Sequence, residues 1–122
     1  MGRQNMDFAG VDLASGFVEY TGKVNGISEK RLAGDTAPGV RTRLLKLAPG
    51  VQTPEAHAHD YWEEIYIISG SMLVATPDGG ERRVTAPAYA CREPGFMHGP
   101  IRTDEQCLMI EFAWRGGKTP GD

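Results

Sequence analysis

The chain has 122 residues, which is enough for one domain with one hydrophobic core. Its 13 lysines and arginines and 16 aspartates and glutamates give a formal net charge of −3, so nothing favours nucleic acid or a membrane surface as a partner. No apolar run approaches the roughly 18–20 residues of a membrane span, and MGRQNMDFAG at the start lacks a signal-peptide centre, so we expect a cytoplasmic protein.

The predicted elements are short strands separated by turns. Residues 1–38 are expected to be irregular, apart from a possible edge strand at FVEYTG (17–22) and a turn at DTAPG (35–39). Strands are then predicted at VRTRLLKL (40–47), HAHDYWEEIYII (57–68), SMLVAT (71–76), ERRVTA (81–86), YACRE (89–93) and CLMIEFAW (107–114). PDGG (77–80) is typical of a hairpin turn, and residues 116–122 are expected to form a flexible tail. This pattern predicts an all-β sandwich or barrel over residues 39–115, as a single domain.

Three histidines stand out, because two of them lie one residue apart in HAHDYWE (57–63). Side chains alternate faces along a strand, so His57, His59 and Glu63 would share one face, with Tyr61 between them. A lone histidine on a strand is usually solvated or hydrogen-bonded, and HxH alone is a weak signal. Together with a later histidine, His98, the set predicts four ligands for one divalent metal ion.

These residues resemble the first motif of the cupin superfamily, whose members are small β-barrels. The family pattern is a glycine, a short gap, HxHxxxE, six residues and a second glycine. It matches Gly50, His57, His59, Glu63 and Gly70, with one residue more than usual in the first gap. Glu64 competes with Glu63 for the ligand position, but strand parity and the six-residue gap both favour Glu63.

The second cupin motif is matched by Gly95 and His98. Three other motif positions differ, because Pro87, Glu93 and Arg102 stand where the family has Gly, Pro and Asn. None of these positions supplies a ligand, so the resemblance implies a cupin (RmlC-like) jelly-roll β-barrel with a metal held by His57, His59, Glu63 and His98. The stretch 89–112 further resembles small cupins related to the ChrR anti-sigma cupin domain and to acetylacetone-cleaving dioxygenases.

Four protein ligands on a metal that accepts six leave two open positions, which suit either O₂ activation or Lewis-acid catalysis. We therefore expect a metal-dependent dioxygenase, with non-haem Fe or Mn, acting on a small diketone, enol or phenol. The alternatives are a non-redox lyase, isomerase or cyclase, and a non-enzymatic sensor or binding module. The ligand set fits Fe, Mn, Zn or Ni. It does not identify the native metal, because the order of affinities favours Cu and Zn over Fe and Mn whatever the cell supplies.

The remaining candidates concern the barrel interior. Arg43 shares strand parity with Leu45 and Leu47, so it either enters the interior beside an anion or lies hydrated at the rim, and the rim is favoured. Tyr61 could position a substrate, although packing is the commoner role of such a residue. The pocket is expected to be mostly apolar, lined by Leu45, Leu47, Ile65, Ile67 and Phe96.

The last predicted strand has two possible inner faces. The uniformly apolar face carries Leu108, Ile110, Phe112 and Trp114 and is the better core candidate. On the other face, Glu111 could instead reach the pocket as a general base. Trp62 and Trp114 are expected to pack or to contact a partner, and open sheet edges favour a homodimer.

Overall fold

The computed structural model describes residues 4–19, 24–34 and 40–115, and these residues form nine strands and no helix. The strands are, in chain order, β1 Val18–Glu19, β2 Ile27–Gly34, β3 Arg41–Leu47, β4 Trp62–Ser69, β5 Ser71–Ala75, β6 Glu81–Thr85, β7 Ala88–Arg92, β8 Ile101–Arg102 and β9 Cys107–Trp114. Over the same ranges, no helix is long and apolar enough to cross a membrane. The all-β prediction is confirmed.

The strands form two antiparallel sheets. One has six strands in the order β1-β2-β3-β9-β4-β7, and the other has three in the order β6-β5-β8. Apolar side chains from both sheets meet in one core, which contains Leu45, Leu47, Val51, Ile65, Ile67, Met72, Cys107 and Met109. Each sheet therefore buries one face against the other, as a jelly-roll barrel does.

Local sequence patterns located most strands well. The observed β3, β5 and β6 differ from their predicted ranges by one residue at one end, β7 is shifted by one residue at both ends, and β9 has its predicted ends. The PDGG turn joins β5 to β6, where the Thr76 N–H donates to the Gly80 carbonyl at 2.9 Å. These segments are bounded by turn residues, which fix strand ends locally.

Two strands were missed and one was placed too early. β2 and β8 were not predicted, because ISEKRLAG lacks apolar alternation and β8 has two residues only. β4 begins at Trp62 and not at His57, so the preceding residues form a loop. Part of the possible edge strand at 17–22 forms β1, Val18–Glu19. Residues 20–22, the predicted turn 35–39 and the tail from 116 lie outside the described ranges.

The prediction of the inner face of β9 was wrong. Cys107, Met109 and Glu111 are buried between the sheets, whereas Phe112 is 36% exposed on the outer face. Apolar side chains occupy both faces of this strand, so hydrophobicity alone could not select one. The inner face also carries Glu111, whose burial is compensated by hydrogen bonds from Arg41 and Arg43 on β3.

The second glycine of the cupin motif is required by a close approach. Gly70 joins β4 to β5 with a φ of +80°, a conformation that disfavours residues with a side chain. A Cβ built there would lie 1.8 Å from the carbonyl oxygen of Gln106, just before β9. The motif glycine therefore lets the β4–β5 turn pack against the chain that enters β9.

Candidate metal centre

Backbone pairing between two loops brings the first and third histidines together. His57 and His98 form an isolated antiparallel bridge, in which the N–H of each residue donates to the carbonyl of the other at 2.9 Å. The N–H of Gly95 also donates to the His59 carbonyl at 2.7 Å. These bonds fix the loop of the second motif against the loop of the first, so the three histidines meet without being on one strand.

The three imidazoles form a compact donor set. One ligand nitrogen from each of His57, His59 and His98 can be chosen so that all lie within 4.8 Å of one another. Nε2 of His98 is buried and has no hydrogen-bond partner among the described residues. A buried polar atom without a partner is costly, so this nitrogen is suited to binding an ion.

Burial and neighbouring charges lower the pKa values of two of these imidazoles and so keep them neutral. Burial, then the charge of Arg92, lowers the pKa of His98 to about 3. Burial, then the neighbouring His57, also lowers the pKa of His59. Neutral imidazole is the form that binds metals, so the donor set fits a divalent cation.

Glu63 lies beside the histidines and carries competing contacts. Its Oε2 is 3.6 Å from Nε2 of His59, and its Oε1 is 3.9 Å from Nε2 of His98. Arg92, directly opposite in the β4–β7 register, donates to Oε1 at 2.9 Å. Burial, then the hydrogen bond and charge of Glu111, raises the pKa of Glu63, which favours a protonated carboxyl at neutral pH. The rival Glu64 accepts a hydrogen bond from the hydroxyl of Tyr89 instead.

A buried ionic cluster forms the wall next to Glu63. Nε of Arg43 donates to Glu111 at 2.6 Å, and Nε of Arg41 donates to the same oxygen at 3.0 Å. Burial by itself raises the pKa of Glu111, but hydrogen bonds from Glu63 and Arg43 and the charges of Arg43 and Arg41 outweigh it, so the net shift is downward. The favoured rim position of Arg43 was therefore wrong, because Arg43 is buried against Glu111 and Glu29.

Tyr61 connects the ionic cluster to the histidines. Its ring stacks on His59 at a centroid distance of 4.6 Å, and its hydroxyl accepts a hydrogen bond from Nη2 of Arg41 at 3.5 Å. Burial raises the pKa of this hydroxyl, which therefore remains protonated. The two tryptophans do not line this region; Trp62 and Trp114 stack on each other at 5.9 Å.

The histidines open onto a cavity of about 270 Å³, referred to below as the metal cavity. Its walls include Leu45, Leu47 and Ile65, as predicted, but Ile67 lies in the apolar core, and Phe96 is 53% exposed outside this cavity. The cavity surface is mostly apolar, as predicted. Five charged side chains also line it, namely Arg41, Arg43, Arg92, Glu63 and Glu111.

Comparison with known proteins agrees with this geometry. The ChrR Cupin-like domain family matches residues 13–115. The chain belongs to this family. A search of curated proteins found no match.

Several solved structures share the cupin fold. An RmlC-like cupin from Shewanella frigidimarina matches with a TM-score of 0.65 and 18% identity, over 96% of this chain and 97% of that one. An acetylacetone dioxygenase from Acinetobacter johnsonii matches with 0.62 and 19%, over 93% and 80%. The polyketide cyclase RemF from Streptomyces resistomycificus matches with 0.59 and 25%, over 72% of this chain and only 64% of the cyclase. The predicted cupin barrel is confirmed.

Two charged residues of this cupin's cavity were missed in the sequence, Arg41 and Arg92. Arg41 could have been found, because RTR (41–43) places it on the same strand face as Arg43. Arg92 offered no such signal, because its position opposite Glu63 depends on how β7 pairs with β4. Cupins of this kind typically hold a metal, and here the histidine set fits one, while Glu63 as a fourth ligand stays a prediction.

Proposed function

We propose that this cupin is a metal-dependent enzyme in which His57, His59 and His98 hold one divalent metal and Glu63 completes the ligand set. The observation that carries this proposal is the convergence of three imidazoles, one with a buried unpartnered nitrogen, on the wall of the metal cavity. When bound, such a metal supplies Lewis-acid polarisation of oxygen groups or, as iron, activation of O₂.

The first candidate reaction is a dioxygenation of a small diketone, enol or phenol. The cavity has an apolar side, with Leu45, Leu47 and Ile65, which would contact the carbon body of such a molecule. On its other side, the guanidinium groups of Arg41 and Arg92 would favour the anionic enolate or phenolate form, which is also the form that ligates metals.

The second candidate is a non-redox cyclisation, isomerisation or elimination. It is supported by the likeness to the polyketide cyclase RemF and by the charged side chains on the wall of the metal cavity, which would suit a substrate that develops negative charge on oxygen. A metal would then polarise the substrate without any redox change.

Oxygen uptake by defined metal forms tests the two candidates. The protein would be loaded separately with Fe(II), Mn(II) and Zn(II) and given a panel of diketones, enols and phenols. We expect about one metal per chain for a single four-ligand site, and O₂ consumption by the Fe(II) or Mn(II) form but not by the Zn(II) form. Turnover by the Zn or Mn form with no O₂ consumption would favour the cyclase or isomerase. Catalytic silence in all forms, with metal-dependent binding of a protein partner, would favour a sensor.

The homodimer also stays a prediction, and the exposed outer face of the six-stranded sheet supports it. Tyr66 is 44% exposed and Tyr89 is 60% exposed, and Phe112 is a near neighbour on the same sheet. Aromatic side chains of this kind are enriched where protein surfaces meet. Light scattering after gel filtration would give the mass in solution, and a mass of one chain would contradict the dimer.

A further inference from the structure

The open side of the sandwich between β6 and β7 contains two further cavities. β7 ends the order of the six-stranded sheet and β6 ends that of the three-stranded sheet. A cavity of about 90 Å³ and a groove of about 690 Å³ lie here, and both are lined by Val74, Arg82, Ala90 and Arg92. Because they share these walls, we treat them as one feature, the side cleft.

The side cleft adjoins the metal cavity. Ile65, Met72 and Arg92 line both the smaller cavity and the metal cavity. Arg92, His98 and Gly99 line both the groove and the metal cavity. A molecule lying in the side cleft would therefore contact residues that also line the metal cavity.

The chemistry of the cleft is apolar and positively charged. Its walls include Val74, Val84, Ala88, Phe96 and Met97. The charged groups are Arg82 and Arg92, and no aspartate or glutamate is present among the described residues that line it. This combination is complementary to an apolar molecule that carries a negative charge.

Arg82 is placed to receive that charge. It lies two residues before Val84, which packs against the core, so both are on the inner face of β6. Within residues 4–19, 24–34 and 40–115, the exposed side chain of Arg82 makes no hydrogen bond or ion pair. Its neighbour Arg83, on the opposite face, donates to Asp104 at 2.9 Å and to Ser71 at 2.8 Å.

We propose that the side cleft binds the apolar body and the carboxylate of an organic acid, with Arg82 as the partner of the carboxylate. Arginine suits this role because its planar fork binds a carboxylate through two parallel hydrogen bonds. The opposite end of the acid would then react at the metal, a step that rests on the proposed function. A charged side chain that points inward on an edge strand, as Arg82 does on β6, also discourages pairing with the edge of another sheet. That role would require neither the cavity nor a ligand.

Calorimetry with octanoate tests the cleft directly. Wild-type protein loaded with zinc should bind octanoate, and Arg82→Ala should weaken binding by about twofold to fivefold, because an ion pair at a solvent-exposed arginine is screened by water. Arg83→Ala is the matched control and should bind as the wild type does. Arg82→Gln provides a second variant of closer shape. Octanamide, which has no charge, should bind more weakly than octanoate and should not respond to Arg82.

The position of the ligand can be read from methionine methyl groups by NMR. Met97 lines the groove and Met109 lines the metal cavity, and neither lines the other space. Octanoate should shift the Met97 signal in the wild type and not in Arg82→Ala. Propionate, which can reach a metal but is too short to fill the cleft, should leave Met97 unchanged.

Three results would overturn the inference: no binding of octanoate to the wild type, equal losses in Arg82→Ala and Arg83→Ala, or binding that shifts Met109 alone and disappears in His59→Ala. The last result would mean that the metal holds the carboxylate. If octanoate binding depended on Arg82 but the protein were catalytically inert with every metal, the proposed enzyme would be contradicted and the binding site in the side cleft would still be supported. O₂ consumption without octanoate binding would contradict the cleft alone.

Discussion

The two ends of the barrel interior differ in character although the same strands build them. In the β3–β9 ladder, Leu47 faces Cys107 and Leu45 faces Met109, and all four are buried. Two residues further along, Arg43 faces Glu111, and both are also buried. Strand parity is the same at both ends, so position along the strand decides whether the interior is apolar or charged.

This difference separates stability from chemistry. The apolar end lowers the free energy of the folded state by removing hydrocarbon from water. The charged end must offset the desolvation of several ions, and it does so because each arginine has a carboxylate within hydrogen-bond distance. The histidines open onto the charged end, so the metal would bind where the protein gains least from packing.

Removing a histidine breaks the charged end most completely. His59→Ala should lose most of the bound metal, a loss larger than the roughly 10–100-fold that changes around the ligands cost. Glu64→Ala is the control and should keep its metal, because Glu64 bonds to Tyr89 and not to the histidines. Elemental analysis of the purified variants measures the difference. Metal retained in His59→Ala and lost in Glu64→Ala would show that the assigned ligands are incorrect.

Neutralising the central carboxylate should destabilise the fold. Glu111→Gln leaves Arg41 and Arg43 buried without their shared anion, which should reduce the free energy of unfolding by about 3–5 kcal/mol. Glu64→Gln, whose partner is the exposed Tyr89, should cost less than about 1.5 kcal/mol. Urea unfolding of the metal-free proteins compares the two. Equal costs would mean that the arginines are solvated in solution.

A cavity at the apolar end should affect stability without affecting the metal. Ile67 is 2% exposed and lies in the core outside the metal cavity, so Ile67→Ala should cost about 2–5 kcal/mol. Its metal content, measured per folded chain, should match that of the wild type. If Ile67→Ala also lost the metal, the two ends would be coupled, and they could not be treated as separate.

The smallest effect concerns acid. The pKa of His98 is lowered to about 3 in the folded protein, from 6.5 in the free side chain, so between these values the unfolded chain binds a proton that the folded chain does not. Stability of the metal-free protein should therefore fall as the pH drops below about 6.5. His98→Gln lacks this group, so its melting temperature should fall less between about pH 7 and about pH 5. Parallel curves for the two proteins would contradict the lowered pKa.

Much of this cupin could be predicted from local sequence patterns. Strands β3, β5, β6, β7 and β9 were found because turn residues and side-chain alternation act over a few positions. The histidines of the metal site were found from their spacing, which survived even though 57–61 form a loop. In this loop, alternate side chains still point toward the cavity. Apart from the bridge at His57, its backbone does not form the hydrogen bonds of a strand.

The sequence by itself determined the all-β class, five of the strand segments and the histidine set, because periodicity, turn residues and ligand spacing are local properties. Only the tertiary structure decided which face of β9 is buried, that Arg43 is inside with Glu111, and that Arg92 stands opposite Glu63. These features depend on strand register and sheet order, which join residues far apart in the chain. The burial of a charge is tolerated only when its partner arrives across a strand, so no local pattern could have predicted it.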